Sequence, residues 1–262
     1  MRDNLMRRRW AAGEAALGGW LGIPNAYSAE IVARGDFDYV CIDAQHGHIG
    51  YSDIWPMLQA VNLGSATPLV RVPWNEPGII GKSLDAGARG VVIPMVNTGR
   101  EAEAAVAACR YPPDGGRSYG GTRVVRQEGS DYFTNANADV AVIPMIETTE
   151  ALSNLDEILS VPGVDAVYMG PSDLSVSLGL PPRNNDGEPA FDGAVAAILD
   201  ACSRHGVTAG CHTVSELCQR RSAQGFRMLT VTSDTAALSR ALADELRLAR
   251  GEEPVSRSSS MY

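Results

Sequence analysis

Eight short apolar segments, each followed by a stretch with helical spacing, constrain the fold of this chain more than any other feature. Continuous apolar strands are typical of parallel strands that helices cover on both faces. Eight strand–helix units in about 250 residues therefore predict an α/β protein with a (β/α)8 barrel, the TIM barrel. A doubly wound open sheet is the alternative, disfavoured because no GxGxxG motif follows the first strand. The predicted strands are residues 18–23, 39–43, 68–72, 90–94, 141–146, 166–169, 206–210 and 227–231.

The length of the chain suits one barrel domain, and we expect residues 1–262 to form it. An amphipathic helix at 4–12 is predicted ahead of the first strand, and helical spacing also covers 150–159, 192–204 and 234–250. Two segments, 111–137 and 179–191, are predicted to be long loops, which in compact domains are usually functional or disordered. A polar tail follows from about residue 251.

The overall charge narrows the range of partners. With a formal net charge of −9 and a pI of about 4.9, the chain is not expected to bind nucleic acid or an anionic membrane surface. No apolar run approaches the roughly 18 residues of a membrane-spanning helix, and the basic N-terminus lacks the apolar region of a secretion signal. The five cysteines are odd in number and lack CxxC spacing, so reduced thiols in the cytoplasm are expected.

Two carboxylates follow neighbouring strands of one strand–helix–strand unit. Glu147 comes directly after the fifth predicted strand, and Asp173 follows the sixth through a Gly-Pro-Ser turn. A unit of this length makes its strands parallel and adjacent, so both carboxylates emerge at the carboxyl edge, where α/β barrels place their chemistry. Two carboxylates there suit a hard divalent cation that keeps open positions for water and substrate.

Further polar residues follow the second and third predicted strands. Asp43 ends the second strand, His46 and His48 lie in the loop beyond it, and Arg71 is near the end of the third. A histidine with a nearby carboxylate is the usual unit for general base catalysis, and arginine binds carboxylates or oxyanions bidentately. Taken singly, each residue has an ordinary structural explanation, such as helix capping or an ion pair. Their convergence with two carboxylates at one edge favours a catalytic site.

These residue types together suit a metal-dependent aldol cleavage or condensation. A divalent ion held by two carboxylates can bind a 2-keto acid and stabilise the charge of its enolate. Arg71 would add positive charge at the same oxygen, and His46 would move the proton of the hydroxyl. A Schiff-base route would need a lysine at the edge, and the only lysine, Lys82, falls within a predicted helix.

Six segments of the sequence carry a resemblance to one known family. They are FDYVCIDAQHG (37–47), PLVRVPW (68–74), GARGVVIPMV (87–96), YPPDGGRSYGG (111–121), VIPMIETTEAL (142–152) and MGPSDLSVSLG (169–179). In this order they resemble the HpcH/HpaI aldolases, which are class II, pyruvate-dependent hydroxy-keto-acid aldolases. The resemblance implies reversible cleavage of 4-hydroxy-2-oxo acids to pyruvate and an aldehyde, with Mg²⁺, Mn²⁺ or Co²⁺ as cofactor.

The resemblance also implies a role for each of the residues at the carboxyl edge. Glu147 and Asp173 would be the metal ligands. His46 would be the base, Asp43 the acid that pairs with it, and Arg71 the residue that stabilises the enolate.

Contacts beyond these five residues are implied as well. The substrate carboxylate would meet backbone N–H groups around Ser172 and Asp173, at a helix N-terminus of the kind that binds anions. A second carboxylate, Asp85, would reach the histidine of an adjacent subunit. The implied assembly is a hexamer of paired trimers, in which the subunits exchange their last helices.

The sequence departs from the family pattern at two positions. Members often have a glutamate before the histidine and a glutamine two residues before the metal-binding glutamate, where this chain has Gln45 and Met145. Gln45 removes a negative charge near the metal, and Met145 replaces a polar contact at the substrate-binding position. The aldehyde pocket is expected to be shaped by His48, Trp74 and the 111–137 loop.

Two other functions stay open. A lyase or thioesterase acting on CoA esters of the citrate or malate type would need a basic patch for the nucleotide, and the arginines of 110–126 are the candidates. A non-catalytic barrel that serves as a scaffold or binding module would leave Glu147 and Asp173 without a metal.

Overall fold

The structure is a computed structural model that describes residues 4–252, so most of the predicted polar tail, residues 253–262, lies outside the described residues. Eight parallel strands form a closed barrel in the order β1 to β8, with β8 pairing back to β1. This architecture confirms the predicted (β/α)8 barrel. The strands are β1 Ala16–Leu21, β2 Tyr39–Asp43, β3 Thr67–Arg71, β4 Gly90–Ile93, β5 Ala141–Ile146, β6 Ala166–Met169, β7 Thr208–Cys211 and β8 Met228–Ser233.

Thirteen helices in residues 4–252 connect and flank the strands. None of them combines the length and apolar character needed to span a lipid bilayer. They are α1 Leu5–Ala11, α2 Ala26–Ala33, α3 Tyr51–Val61, α4 Pro77–Asp85, α5 Gly99–Cys109, α6 Thr122–Glu128, α7 Tyr132–Asp139, α8 Thr149–Ser153, α9 Leu155–Leu159, α10 Pro171–Ser177, α11 Pro189–His205, α12 Ser215–Gln224 and α13 Asp234–Arg250.

The strands are apolar throughout because both of their faces are buried. Along β2, Cys41 points into the barrel interior, whereas its neighbours Val40 and Ile42 pack under the surrounding helices. The interior is filled by large side chains such as Tyr39 and Tyr168, so the barrel is a packed core rather than a channel.

Helix α1 closes the amino end of the barrel. Met6 is fully buried in the interior cluster, and its backbone N–H donates to Thr67 Oγ1 at 3.2 Å. The side chain of Asn4 caps the helix by accepting from the N–H of Arg7 at 3.1 Å. An extra N-terminal helix is therefore present, as expected from its amphipathic spacing.

The connections differ from the expected pattern in three places. The 111–137 segment, expected to be a loop, contains α6 and most of α7. The expected helix at 150–159 is divided at Asn154, which ends α8 and precedes α9. A short helix, α10, follows β6 directly, and α11 begins at Pro189, three residues before the expected position 192.

Candidate active site

The closed parallel barrel brings the carboxyl ends of all eight strands to one rim. Asp43 and Arg71 are the last residues of β2 and β3 and lie in register with each other. Ile146 and Met169, the last residues of β5 and β6, are also paired in register. Glu147, the residue after Ile146, therefore emerges at the same rim as Asp43 and Arg71, as the strand pattern predicted.

Asp43 and Arg71 form a buried bidentate ion pair at this rim. Arg71 Nε and Nη2 lie 2.9 and 2.6 Å from the two carboxylate oxygens of Asp43. Burial alone would raise the pKa of Asp43, but the hydrogen bonds and charge of Arg71 outweigh it, so the pKa is lowered. The guanidinium also lies 5.1 Å from the centroid of the Trp20 ring. Arg71 is thus held in one orientation, and no partner for its Nη1 occurs among residues 4–252.

Glu147 is the second buried acid of the rim, with only 2% of its surface exposed. Its Oε1 accepts a 2.8 Å hydrogen bond from the backbone N–H of Met95. Met95 has a φ of +55°, a conformation that costs energy in a non-glycine residue and is typical of functional sites. On the other side, a Cβ at Gly170 would lie 2.6 Å from Glu147 Oε2, so only glycine leaves space for the carboxylate.

The carboxylate of Glu147 forms no ion pair within residues 4–252. Burial and, to a smaller extent, the charge of Asp173 raise the pKa of Glu147 to about 7, although the Met95 N–H and Arg71 act in the opposite direction. Asp173 is exposed in the first turn of α10. Among residues 4–252 no group of three or more His, Cys, Asp or Glu side chains is placed to hold a metal ion. Glu147 and Asp173 remain the predicted pair of metal ligands, and a cation held by two carboxylates would leave its other positions to water and substrate.

The two histidines of the β2–α3 loop are exposed to solvent. The backbone N–H of His46 donates to Asp43 Oδ1 at 3.3 Å, and that of Gln45 donates to the same oxygen at 3.1 Å. Asp43 therefore orients the main chain that carries His46. Its carboxylate is engaged by Arg71, rather than by the His46 imidazole with which the family resemblance pairs it.

Several rim residues present polar atoms without a partner within residues 4–252. Buried oxygens of Gln45, Ser172 and Thr213 make no hydrogen bond there. These residues follow β2, β6 and β7 respectively, so substrate or water at the rim is the available partner. Met145, by contrast, is a buried member of the barrel interior, with its side chain close to Gly170.

Asp85 lies far from this rim within the same chain. It is the last residue of α4, which runs back from the carboxyl end of β3 to the amino end of β4. There its carboxylate accepts a hydrogen bond of 2.8 Å from Arg117, whose side chain stacks on Tyr111. A role for Asp85 at the rim would thus require the rim of another subunit.

His212 is a rim residue that the sequence analysis missed. It follows β7, its Nδ1 lies 3.3 Å from Tyr168 Oη, and its ring centroid lies 5.1 Å from that of Trp20. Burial, and in the same direction the charge of Arg71, lowers the pKa of His212 to about 4, so the ring is neutral. The signal that marked the other rim residues, a polar side chain after a strand, was present here, but the strand was predicted to end at 210.

Lys82 lies on the outside of the barrel, with its Nζ 4.8 Å from the centroid of the Tyr51 ring. This position supports the prediction that a lysine imine is not part of the chemistry.

Comparisons with known proteins assign the chain to a family. The model of the HpcH/HpaI aldolase/citrate lyase family matches residues 17–241. A hydroxypyruvate/pyruvate aldolase of Rhizorhabdus wittichii is 43% identical over 91% of this chain and 95% of its own. A 4-hydroxy-2-oxo-heptane-1,7-dioate aldolase of Salmonella arizonae is 36% identical, with 99% of both chains covered.

A solved structure agrees with these matches. The crystal structure of a family protein from Burkholderia cenocepacia J2315 superposes with a TM-score of 0.88, at 32% identity, over 95% of this chain and 100% of that one. The family predicted from the six sequence segments is thereby confirmed. This chain belongs to the HpcH/HpaI aldolase/citrate lyase family.

Proposed function

We propose that the protein is a metal- and pyruvate-dependent aldolase that reversibly cleaves 4-hydroxy-2-oxo acids to pyruvate and an aldehyde. The observation that carries this proposal is the pair of rim carboxylates beside a fixed guanidinium. Glu147 is buried without a cationic partner in residues 4–252, Asp173 is near enough to raise its pKa, and Arg71 is locked by Asp43. The names of the relatives, both of them aldolases, support the same reaction.

The residues fit a divalent cation. The free Oε2 of Glu147 faces the space beside Gly170 that a Cβ would fill, and carboxylate oxygens are the ligands that Mg²⁺ and Mn²⁺ prefer. We propose Glu147 and Asp173 as the ligands, with Mg²⁺, Mn²⁺ or Co²⁺ as the ion. The bound cation would supply Lewis-acid stabilisation of the negative charge that develops on the keto oxygen.

The remaining steps fall to side chains of the rim. In the cleavage direction His46 takes the proton of the 4-hydroxyl, and the bond between C3 and C4 breaks to release the aldehyde. The electron pair moves towards the keto oxygen, which Arg71 Nη1 stabilises by charge and hydrogen bonding. Return of that proton from His46 to C3 then gives pyruvate and restores the neutral imidazole. The pyruvate carboxylate would meet the backbone around Ser172 and Asp173, and Met145, whose side chain lies close to Gly170, would also contact the substrate.

The exchange of pyruvate methyl protons with D₂O, followed by NMR, tests this proposal without a choice of aldehyde. Wild-type protein with Mn²⁺ is expected to exchange the methyl protons, whereas Glu147→Ala and Asp173→Ala are not. EDTA should stop the exchange, and added Mn²⁺ should restore it. Full exchange by metal-free protein would refute the proposal.

The role of His46 is tested separately. His46→Ala is expected to lower aldol turnover much more than it weakens Mn²⁺ binding, because His46 is proposed to move a proton and not to hold the ion. Equal losses of both would contradict its role as the base. A panel of aldehydes, each assayed with pyruvate and with Mn²⁺ or Mg²⁺, would identify the aldehyde that the expected pocket around His48 and Trp74 accepts.

A CoA-ester lyase is the alternative, and the arginines expected to bind the nucleotide argue against it. Arg110 binds Val140 O and Asp165, Arg117 binds Asp85, and Arg123 donates to Ala86 O, so three of the four arginines of 110–126 are engaged within the chain.

We also propose that the protein is a homo-oligomer, with a hexamer as the expected state. Leu238, Leu242 and Leu246 follow one another at four-residue spacing along α13 and are 53–57% exposed. Such a stripe is typical of a helix that packs on another subunit. Asp85 would then reach a neighbouring rim. Light scattering should find a hexamer for the wild type and smaller species for Leu242→Glu.

Two further properties remain proposals. Residues 1–262 are proposed to be a single domain, since one barrel accounts for the described part of the chain. The five cysteines are all unpaired thiols, which supports the expected cytoplasmic location.

A further inference from the structure

Asp173 lies in a helix too short to be stable by itself, so its position depends on the tertiary contacts of that helix. It lies in α10, a helix of seven residues, and helices this short do not hold their conformation without tertiary contacts. Gly170 and β6 fix the beginning of α10. Its end is continued by the segment of residues 178–188, here named the α10–α11 loop.

The α10–α11 loop is hydrogen-bonded to α10 through Ser175, which lies two residues after Asp173. Ser175 is fully buried, and its hydroxyl donates to Arg183 O at 3.0 Å. The buried side-chain amide of Asn185 donates to that same hydroxyl at 2.8 Å and to Pro181 O at 2.9 Å. The inner surface of the loop is therefore bonded to the helix that carries Asp173.

The other side of the loop is bonded to Arg221 of α12. Arg221 is only 1% exposed, and its Nη2 lies 2.6 Å from Asn184 Oδ1 and 2.7 Å from Asp186 Oδ1. Its Nη1 donates to Gln224 at 2.8 Å, and its Nε is buried without a partner among residues 4–252. Helix α12 itself packs against β8.

A buried arginine with an unpaired Nε is a poor source of stability, because desolvation offsets most of what its ion pair contributes. The contacts of Arg221 can instead fix the conformation of the α10–α11 loop. Contacts run without a break from α12 through Arg221, Asp186 and Asn185 to Ser175 and so to α10. None of the side chains in this series is among the residues proposed to bind the metal ion or the substrate.

We propose that Arg221 is a positioning residue that sets the location of Asp173 relative to Glu147, and so the affinity of the site for its divalent ion. This inference rests on the proposed function, since it takes the two carboxylates as the ligands. Contacts that orient metal ligands typically change metal affinity about 10- to 100-fold when they are removed.

Titration of the intact enzyme with Mn²⁺, with free ion measured by electron paramagnetic resonance, tests the inference. Arg221→Gln is expected to weaken Mn²⁺ binding about tenfold, and turnover at saturating Mn²⁺ should fall much less. Asn185→Ala, which breaks the contacts at their other end, should give the same split. Arg221→Lys, which keeps one charged contact to the loop, should recover part of the affinity.

Arg220→Gln is the matched control. Arg220 is the neighbouring residue, carries the same charge and contacts the same Asp186 at 3.1 Å, but its side chain is 51% exposed. This variant is expected to bind Mn²⁺ as the wild type does. A role in stability alone would lower the melting temperature of Arg221→Gln or Asn185→Ala while Mn²⁺ affinity stays unchanged, and that result in either folded variant would overturn the inference.

Failure of the proposed function would look different. In that case Glu147→Gln would bind Mn²⁺ as tightly as the wild type, whatever the Arg221 variants do. If Glu147→Gln loses the ion and the Arg221 and Asn185 variants keep it, only the inference about Arg221 fails.

Discussion

The acidic residues at the two ends of the barrel differ in their ion pairing. At the amino end, Asp38, Asp139 and Asp165 precede strands, and each is paired with arginine. Asp165, for example, lies 2.7 Å from Arg7 and 2.9 Å from Arg110, and it accepts a backbone hydrogen bond from Val142. At the carboxyl end, Asp43 is paired with Arg71, but Glu147 forms no ion pair in the described part of the chain, and Arg71 acts on it only through its charge.

This difference separates stability from function. Paired acids with full hydrogen bonding stabilise the closure of the barrel and have no capacity left for a ligand. A buried carboxylate without a cation is costly unless something else supplies the positive charge. The barrel therefore keeps its unpaired charge at the end where parallel strands place active sites.

Glu147→Gln should have the largest effect, with a loss of turnover and no loss of stability. The amide cannot serve as a charged ligand, so aldol turnover should fall at least about 1,000-fold, equivalent to about 4 kcal/mol. The metal-free variant should unfold at a temperature equal to or above that of the metal-free wild type at pH 7.5, because a buried charge is gone. Turnover assays and calorimetry measure the two effects, and a marked loss of stability would contradict the comparison.

Arg110→Ala should show the converse at the amino end. It leaves the half-buried Asp165 with one arginine fewer, and breaking a fully buried pair costs about 3–5 kcal/mol. Because Arg7 still contacts Asp165, we expect the lower end of that range. Turnover of the folded variant should stay near the wild-type value.

The control for Arg110→Ala is Arg204→Ala, which breaks an exposed ion pair with Asp156 at 2.5 Å. Exposed pairs contribute little to stability because water screens them, so its denaturation midpoint should barely move. If both variants lose the same stability, the amino-end pairs are ordinary surface interactions.

Much of the fold and part of the site followed from sequence because they depend on local patterns. Apolar runs identified the strands, since both faces of each strand are buried, and polar residues after them identified Asp43, Arg71 and Glu147. Periodicity did not reveal helix α10, because seven residues carry too little of it, and only the family resemblance implied a helix N-terminus at Ser172 and Asp173. The Met95 N–H contact to Glu147 and the Arg221 contacts were missed because they join residues far apart in sequence.

The pH dependence of stability should sharpen the comparison further. The raised pKa of Glu147, about 7 instead of 4.5, means that the folded metal-free protein holds a proton that the unfolded chain releases. Stability should therefore decrease as pH rises from about 4.5 to 7, by up to about 3 kcal/mol. The measurement is the difference in unfolding free energy between wild type and Glu147→Gln, which cancels the other titrating groups.

At pH 7 and above, saturating Mn²⁺ should offset the stability lost between about pH 4.5 and 7, because an ion that binds only the folded state stabilises it. If the difference in unfolding free energy between wild type and Glu147→Gln does not change with pH in the absence of metal, the folded protein does not raise the pKa of Glu147. The two ends of the barrel would then differ only in the geometry of their acidic residues.

The smallest effect concerns the space beside Glu147. Gly170 has φ of −93° and ψ of 95°, which alanine also adopts, so the obstacle to the substitution is steric: a Cβ would lie 2.6 Å from Glu147 Oε2 and 3.0 Å from Met145 Cε. Gly170→Ala should weaken Mn²⁺ binding about 10-fold or more by displacing the carboxylate. Gly193→Ala in α11 meets open space and should stabilise the protein by about 0.5–1 kcal/mol without changing Mn²⁺ affinity. If Gly170→Ala binds Mn²⁺ normally, Glu147 can move freely, and the rim carboxylate is not held in place by its surroundings.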